Sequence, residues 1–81
     1  MDNRSRLQTL FEDILLLTDG EFRFDLRRED VATWDSLAVV AIATGVEETF
    51  GYHMSEEEAV GIQSVPDLMR LLEVRGISFA E

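Results

Sequence analysis

The sequence between positions 35 and 51 reads DSLAVVAIATGVEETFG, and it predicts one helix with its own start and end signals. The carboxylate of Asp35 is well placed to cap this helix, because it can accept free backbone N–H groups of the first turn. The helix then begins near Ser36 and runs to about Phe50. Gly51 supplies the glycine that commonly follows the end of a helix.

This helix carries apolar residues on two sides. At 100° per residue, one core-type face contains Val39, Ile42, Ala43, Val46 and Phe50. The opposite side carries Leu37, Val40, Ala41 and Thr44, followed by Glu47 and Glu48. Enclosing both sides is difficult in a chain of 81 residues, so we expect the second side to be a docking face for partner proteins. The alternative is that the preceding loop covers Leu37 and Val40.

An amphipathic helix and a long loop precede this segment. The helix is predicted from about Asn3 to Thr18, with Gly20 as its stop, on an apolar stripe of Leu7, Leu10, Phe11, Ile14 and Leu15. Residues 19–35 show no helical period, so they are read as a loop that is pinned to the core by Phe22, Phe24, Leu26 and Val31. Trp34 is expected to pack the end of the loop against the start of the next helix.

Two helices are predicted after position 51. A short one covers Glu56 to Ile62, where Ser55 and Glu58 have the spacing of a capping box. The last one starts after the cap residue Ser64 and ends at Gly76.

These segments predict an all-α fold. With four helices and no credible strand pair, we expect a small antiparallel four-helix bundle with a short third helix and a long first loop. The tail from Ile77 to Glu81 is expected to fold back through Ile77 and Phe79. At 81 residues the chain has room for a single domain, residues 1–81.

The composition is globular and strongly acidic. Apolar residues make up 46% of the chain, cysteine is absent, and 17 acids against seven bases give a net charge of −10. All seven bases are arginines, and none lies between Arg28 and Arg70. Such a field repels nucleic acid and anionic lipid and attracts basic protein surfaces. We therefore expect a cytoplasmic monomer that binds neither nucleic acid nor membranes.

Ser36 follows an acidic cap at the first turn of a helix, and three roles are open to it. It can simply help to cap the helix. It can be a hydrolase nucleophile, but WDSLA is not a G-x-S-x-G elbow, and the single histidine, His53, lies roughly 24 Å away along the helix. It can also be a modification site, because a helix N-terminus stabilises a phosphate ester.

The motif Asp35-Ser36-Leu37 resembles the DSL motif of acyl carrier proteins. The resemblance extends over most of the chain, through Glu47-Glu48 and Phe50-Gly51 at the end of the second helix, the acidic third helix and Ser64-Val65-x-Asp67 at the start of the fourth. It implies a four-helix carrier fold that is not itself an enzyme. It also implies that Ser36 receives 4′-phosphopantetheine from coenzyme A and holds an acyl group as a thioester.

The resemblance also implies partners and contacts. Asp35 flanks the attachment site as a contact for the phosphopantetheinyl transferase. An acyl-loading ligase or acyltransferase and downstream synthase enzymes would dock through basic surfaces. The apolar docking contacts are Leu37 and Val40, and the acidic ones are Glu47, Glu48 and Glu56.

The sequence departs from the family pattern in ways that bear on the cargo. Ala41 stands where many members carry an acid, and Trp34 replaces a small residue usual in fatty-acid carriers. We therefore expect a specialised polyketide-like or modified-lipid pathway, or fatty acid synthesis. The alternatives are an aminoacyl or peptidyl carrier and an unmodified acidic helical interaction domain.

Other polar residues predict no further chemistry. The run Glu56-Glu57-Glu58 is read as a solvated helix start, because consecutive helical acids point in different directions, and no metal site is expected. We expect the core to include Met54, Ile62, Leu68 and Met69, with some of them lining a space for acyl cargo between the helices.

Overall fold

Four α-helices and one 3-10 turn form the regular structure of the protein in a computed structural model, which describes residues 2–18 and 20–79. The elements are α1 (Asn3–Leu15), the turn Arg28–Asp30, α2 (Ser36–Phe50), α3 (Glu56–Gly61) and α4 (Val65–Val74). Across these two ranges there is no β-strand, only an isolated bridge between Arg27 and Ser64. The predicted all-α class and the four predicted helices are confirmed, and α3 ends one residue before its predicted limit. None of these helices is long and apolar enough to cross a membrane.

The first helix ends earlier than predicted. It was expected to reach Thr18, but it stops at Leu15 because Leu16 adopts a left-handed backbone with φ 58°. The N–H groups of Leu16 and Leu17 both donate to the carbonyl of Glu12, which closes the end of the helix. Leucine rarely adopts this conformation, so the apolar pattern contains no sign of the stop.

The other helix starts follow their predicted caps. The Asp35 carboxylate accepts the N–H of Ala38 at 3.0 Å. Ser55 and Glu58 form a complete capping box at α3, and the Ser64 hydroxyl caps α4. These contacts satisfy backbone donors that have no partner inside the helix, which is why short polar residues stand at all three starts.

One hydrophobic cluster holds the four helices together. Its most deeply buried side chains, from α1, α2 and α4, are Leu7, Phe11, Leu15, Val46, Val65, Leu68 and Leu72. On α2 the predicted core face is confirmed for Val39, Ile42 and Val46, which are buried, while Ala43 and Phe50 are half-buried at its edge. Because fully burying such a side chain is worth about 1.5–3 kcal/mol, this cluster supplies the main stabilisation of so small a fold.

The long first loop is fixed to the core as predicted. Three of its four expected anchors are buried, namely Phe22, Leu26 and Val31. The fourth, Phe24, is half-buried. Two backbone hydrogen bonds tie the loop to the region between α3 and α4: Val65 donates to the carbonyl of Leu26 at 2.9 Å, and Arg28 donates to that of Gln63 at 2.8 Å. The loop therefore positions Arg28 beside the end of α3.

The tail folds back onto the bundle, as predicted, as far as Phe79. The Phe79 side chain is buried and meets the ring of Phe50 edge-on at 5.8 Å. The Nε of Arg4 donates to the Phe79 carbonyl at 2.7 Å, which connects the tail to the first turn of α1. The predicted path over Ala80 and Glu81 lies outside the described residues.

Candidate functional site

Ser36 stands at the point where the long loop enters α2. It is the first residue of the helix, and it is exposed. Within residues 2–18 and 20–79, no group forms a hydrogen bond with its hydroxyl. The neighbouring carboxylate of Asp35 is also exposed and is directed at the helix backbone as a cap. The Ser36 hydroxyl is therefore accessible to a second protein.

Trp34 fixes the position of this helix start. Its side chain is buried at 3% exposure, with its ring 5.3 Å from that of Phe11 in α1. The predicted packing role is confirmed. An indole anchored in the core two residues before Ser36 limits the motion of the loop end, so the serine projects from a rigid position.

The structure keeps Ser36 apart from the single histidine. His53 Nδ1 lies 3.3 Å from Oε1 of Glu47, which is near the other end of α2. Ser36 and Glu47 are eleven residues apart in this helix, or about 16 Å along its axis. The imidazole therefore lies beyond the hydrogen-bond reach that a catalytic serine–histidine pair requires.

The second apolar side of α2 faces solvent. Leu37 is 80% exposed and Val40 is 64% exposed, so the alternative that the first loop covers them is wrong. The predicted acidic contacts Glu47, Glu48 and Glu56 are exposed as well. On α2, positions 37, 40, 44, 47 and 48 follow helical spacing, which places the apolar and acidic residues along one stripe.

A groove of about 660 Å³ runs between α2 and α3, with Ser36 in its wall. It is lined by Arg28, Ser36, Val39, Val40, Ala43, Thr44, Glu47, His53, Met54, Ser55, Glu56, Ala59 and Val60. Its middle is apolar, and small side chains at Ala43 and Ala59 leave the space. Sequence reasoning missed this groove. The prediction that four residues belong to the core is confirmed: three are buried and one is half-buried, namely Met54, Ile62 and Leu68, and Met69. Of these, only Met54 also lines the groove.

Different groups stand at the two ends of this groove. At the Ser36 end, the Nε of Arg28 donates to the Trp34 carbonyl at 3.0 Å. At the other end, Oε1 of Glu47 lies 3.3 Å from Nδ1 of His53, and Glu56 also lines the groove. The contribution of Arg28 was also missed, because its contact with Trp34 depends on how the loop folds over the core and leaves no local pattern.

A hydrogen-bonded cluster holds the start of α3, which forms one wall of the groove. The Tyr52 hydroxyl donates to the Glu58 carboxylate at 2.7 Å, and the Ser55 N–H donates to the same carboxylate at 3.0 Å. The Arg75 guanidinium lies 3.4 Å from Glu58 and stacks over the Tyr52 ring. The Ser55 N–H first, and then the Tyr52 hydroxyl, lower the pKa of Glu58 from 4.5 to about 2.

No protein-family model, curated protein or solved structure matches this chain, so its function is argued from the residues and geometry described above.

Proposed function

We propose that this protein is an acyl carrier protein, with 4′-phosphopantetheine attached through the oxygen of Ser36. The observation that carries the proposal is the unpartnered, exposed hydroxyl of Ser36 at the first turn of α2, in the wall of a largely apolar groove. A serine kept only for capping would direct its oxygen at the helix backbone, but Asp35 already performs that role.

The surroundings of Ser36 fit a phosphodiester-linked arm. The position is open to solvent, so a bulky group can be attached without disturbing the core. The free N–H groups and the dipole of α2 favour negative charge at this end of the helix. The groove that starts at Ser36 offers apolar surface to an arm or its cargo. The arm supplies a terminal thiol, on which an acyl group is held as a thioester.

Attachment requires a transferase and coenzyme A. The Ser36 oxygen attacks the phosphorus that bears the pantetheine group and forms a new P–O bond. The bond from that phosphorus to the bridging oxygen of the diphosphate breaks, and adenosine 3′,5′-bisphosphate leaves with the electron pair. The serine proton passes to a base of the transferase, because the chain itself places no histidine near Ser36. Asp35 contributes a negative contact for the transferase.

The exposed stripe of α2 is the proposed docking face. Leu37 and Val40 provide apolar contacts, and Glu47, Glu48 and Glu56 attract basic surfaces. The partners proposed for it are the phosphopantetheinyl transferase, an acyl-loading ligase or acyltransferase, and downstream synthase enzymes. The helices adopt the antiparallel arrangement of a carrier domain in this proposal. The protein works as a cytoplasmic monomer in a polyketide-like, modified-lipid or fatty-acid pathway and catalyses no step itself.

A second candidate is an unmodified acidic interaction domain. The exposure of Leu37 and Val40 favours it as much as it favours a carrier, because both use this face. It differs in needing no chemistry at Ser36. An aminoacyl or peptidyl carrier would share the attachment site and differ only in the cargo.

The deciding experiment is an intact-mass measurement after incubation with coenzyme A and a broad-specificity phosphopantetheinyl transferase. The parent should gain the mass of one phosphopantetheine, and Ser36→Ala should gain none. Ser5→Ala is the control, because Ser5 also lies in the first turn of a helix that an aspartate caps, three residues after Asp2. This control should be modified like the parent. A folded parent that gains no mass with several transferases would favour the unmodified interaction domain.

A further inference from the structure

Arg28 is the one arginine among the residues that line the α2–α3 groove, and its side chain is held at the Ser36 end. Its backbone N–H donates to the Gln63 carbonyl at 2.8 Å, and its side-chain Nε donates to the Trp34 carbonyl at 3.0 Å. Trp34 is itself buried against Phe11. Both ends of the arginine are therefore fixed by the fold, and its half-buried side chain is held at the carbonyl of Trp34, two residues before Ser36.

The Arg28 guanidinium lies within 4 Å of no carboxylate oxygen in the described part of the chain. Four other arginines form ion pairs there: Arg23 with Asp25, Arg27 with Glu29, Arg70 with Asp67 and Arg75 with Glu58. Arg28 forms none, although two acids follow it directly in the sequence. A guanidinium held by one nitrogen still presents its two terminal nitrogens, which match two oxygens of a phosphate or carboxylate.

We propose that Arg28 binds the phosphodiester that attachment creates on Ser36 and thereby directs the arm along the α2–α3 groove. This inference rests on the proposed function. Attachment adds a negative charge beside the carboxylate of Asp35, and Arg28 offsets that repulsion from the groove side. The phosphodiester is favoured over a carboxylate on the cargo because it is held directly on Ser36, whereas the cargo lies at the far end of a long arm.

The arm gains a direction from this contact. Without this contact, an arm on the exposed Ser36 is free to extend into solvent. An arm whose phosphodiester is held by Arg28 starts on the side of the groove, where Val39, Val40 and Ala43 offer apolar surface. Arg28 is thus a positioning residue for the attached group.

The test is NMR of the parent protein before and after complete modification, with the mass gain confirmed on the same sample. The Nε–Hε signal of Arg28 should shift on modification by more than the signals of Arg23 and Arg70, which lie in surface ion pairs. Ser36→Ala treated in the same way should show no shift. The phosphorus resonance of the modified protein should move in Arg28→Gln and move less in Arg28→Lys. The matched control Arg23→Gln should leave it in place.

The outcomes separate this inference from the proposed function. A modified parent with unchanged Arg28 signals overturns the inference alone, without the need for any variant. A folded parent that cannot be modified overturns both. Loading the arm with acetyl and with malonyl groups distinguishes the phosphodiester on Ser36 from a carboxylate on the cargo as the group that Arg28 binds. An Arg28 shift that appears only with the malonyl carboxylate would overturn the assignment to the phosphodiester.

Discussion

Gly45 of α2 lies against Leu10 of α1, so closely that a β-carbon at position 45 would stand 3.0 Å from Cδ1 of Leu10. Cδ1 of Ile14 would be 3.3 Å away. The two helices approach each other here because one of them has no side chain.

Replacing Gly45 with alanine should therefore stabilise the protein less than the higher helix propensity of alanine suggests. Gly61→Ala is the matched variant, since nothing lies within 4 Å of a β-carbon at that helical position. It should stabilise the protein by about 0.5–1 kcal/mol. Gly45→Ala should fall about 1 kcal/mol short of that gain, because Leu10 must shift in a packed core. Urea unfolding measures both variants, and equal gains would contradict the close packing.

The left-handed residue at the end of α1 should be improved by glycine. Leu16 has φ 58° and is 77% exposed, so its side chain contributes little packing and carries the strain of this conformation. Leu16→Gly should raise the free energy of unfolding by about 1 kcal/mol. Val74 is equally exposed but lies in regular helix. Val74→Gly should instead lower stability by up to about 1 kcal/mol. A loss of stability in Leu16→Gly would show that the side chain matters more than the backbone strain.

Stability should depend on pH through Glu58. Its folded pKa of about 2 lies below its ordinary value of 4.5, so the unfolded chain binds a proton first as the pH falls. The stabilisation that ionised Glu58 gives the folded protein is complete above about pH 4.5 and is lost progressively down to about pH 2. Glu58→Gln should reduce the proton uptake on unfolding in this window by up to about one proton. Urea unfolding between pH 2 and pH 6 measures this uptake as the slope of the free energy of unfolding against pH.

Tyr52→Phe provides an intermediate variant for the same measurement. It removes the hydroxyl that donates to Glu58 but leaves the stronger influence, the Ser55 N–H, in place. Its slope should therefore fall between those of the parent and Glu58→Gln. A slope unchanged in both variants would show that other carboxylates dominate acid unfolding.

The capping role of Asp35 should be separable from the role of its negative charge. Asp35→Ala should cost about 1 kcal/mol, since it removes the acceptor for the Ala38 N–H. Asp35→Asn should keep the cap within about 0.5 kcal/mol of the parent, because asparagine caps as well as aspartate. If Asp35 also contacts the transferase, the asparagine variant should be modified up to roughly tenfold more slowly, a change of about 1.4 kcal/mol.

Asp2→Asn is the matched control, because Asp2 caps α1 through the Ser5 N–H in the same way. It should be modified at the parent's rate. Equal rates for all three proteins would limit Asp35 to a structural role.

What the sequence could predict was local. The caps Asp35, Ser55 and Ser64 act within four residues of themselves, and the apolar periods of the helices act within one or two turns, so both were correct. The predicted end of α1 was wrong because Leu16 adopts a left-handed backbone conformation that leucine disfavours. The groove was missed because it arises only where α3 comes to lie against α2, which no single segment encodes.

The exposed stripe of α2 should matter for partners and not for folding. Leu37 is 80% exposed, so Leu37→Ala should change the free energy of unfolding by less than about 0.5 kcal/mol. If the stripe is the docking face, the same variant should be modified roughly tenfold more slowly by the transferase, corresponding to about 1.4 kcal/mol of lost contact. Val74→Ala removes a side chain of similar exposure from α4 and should be modified at the parent's rate. Equal slowing of both variants would point to a general apolar effect, and no slowing of Leu37→Ala would remove this residue from the docking face.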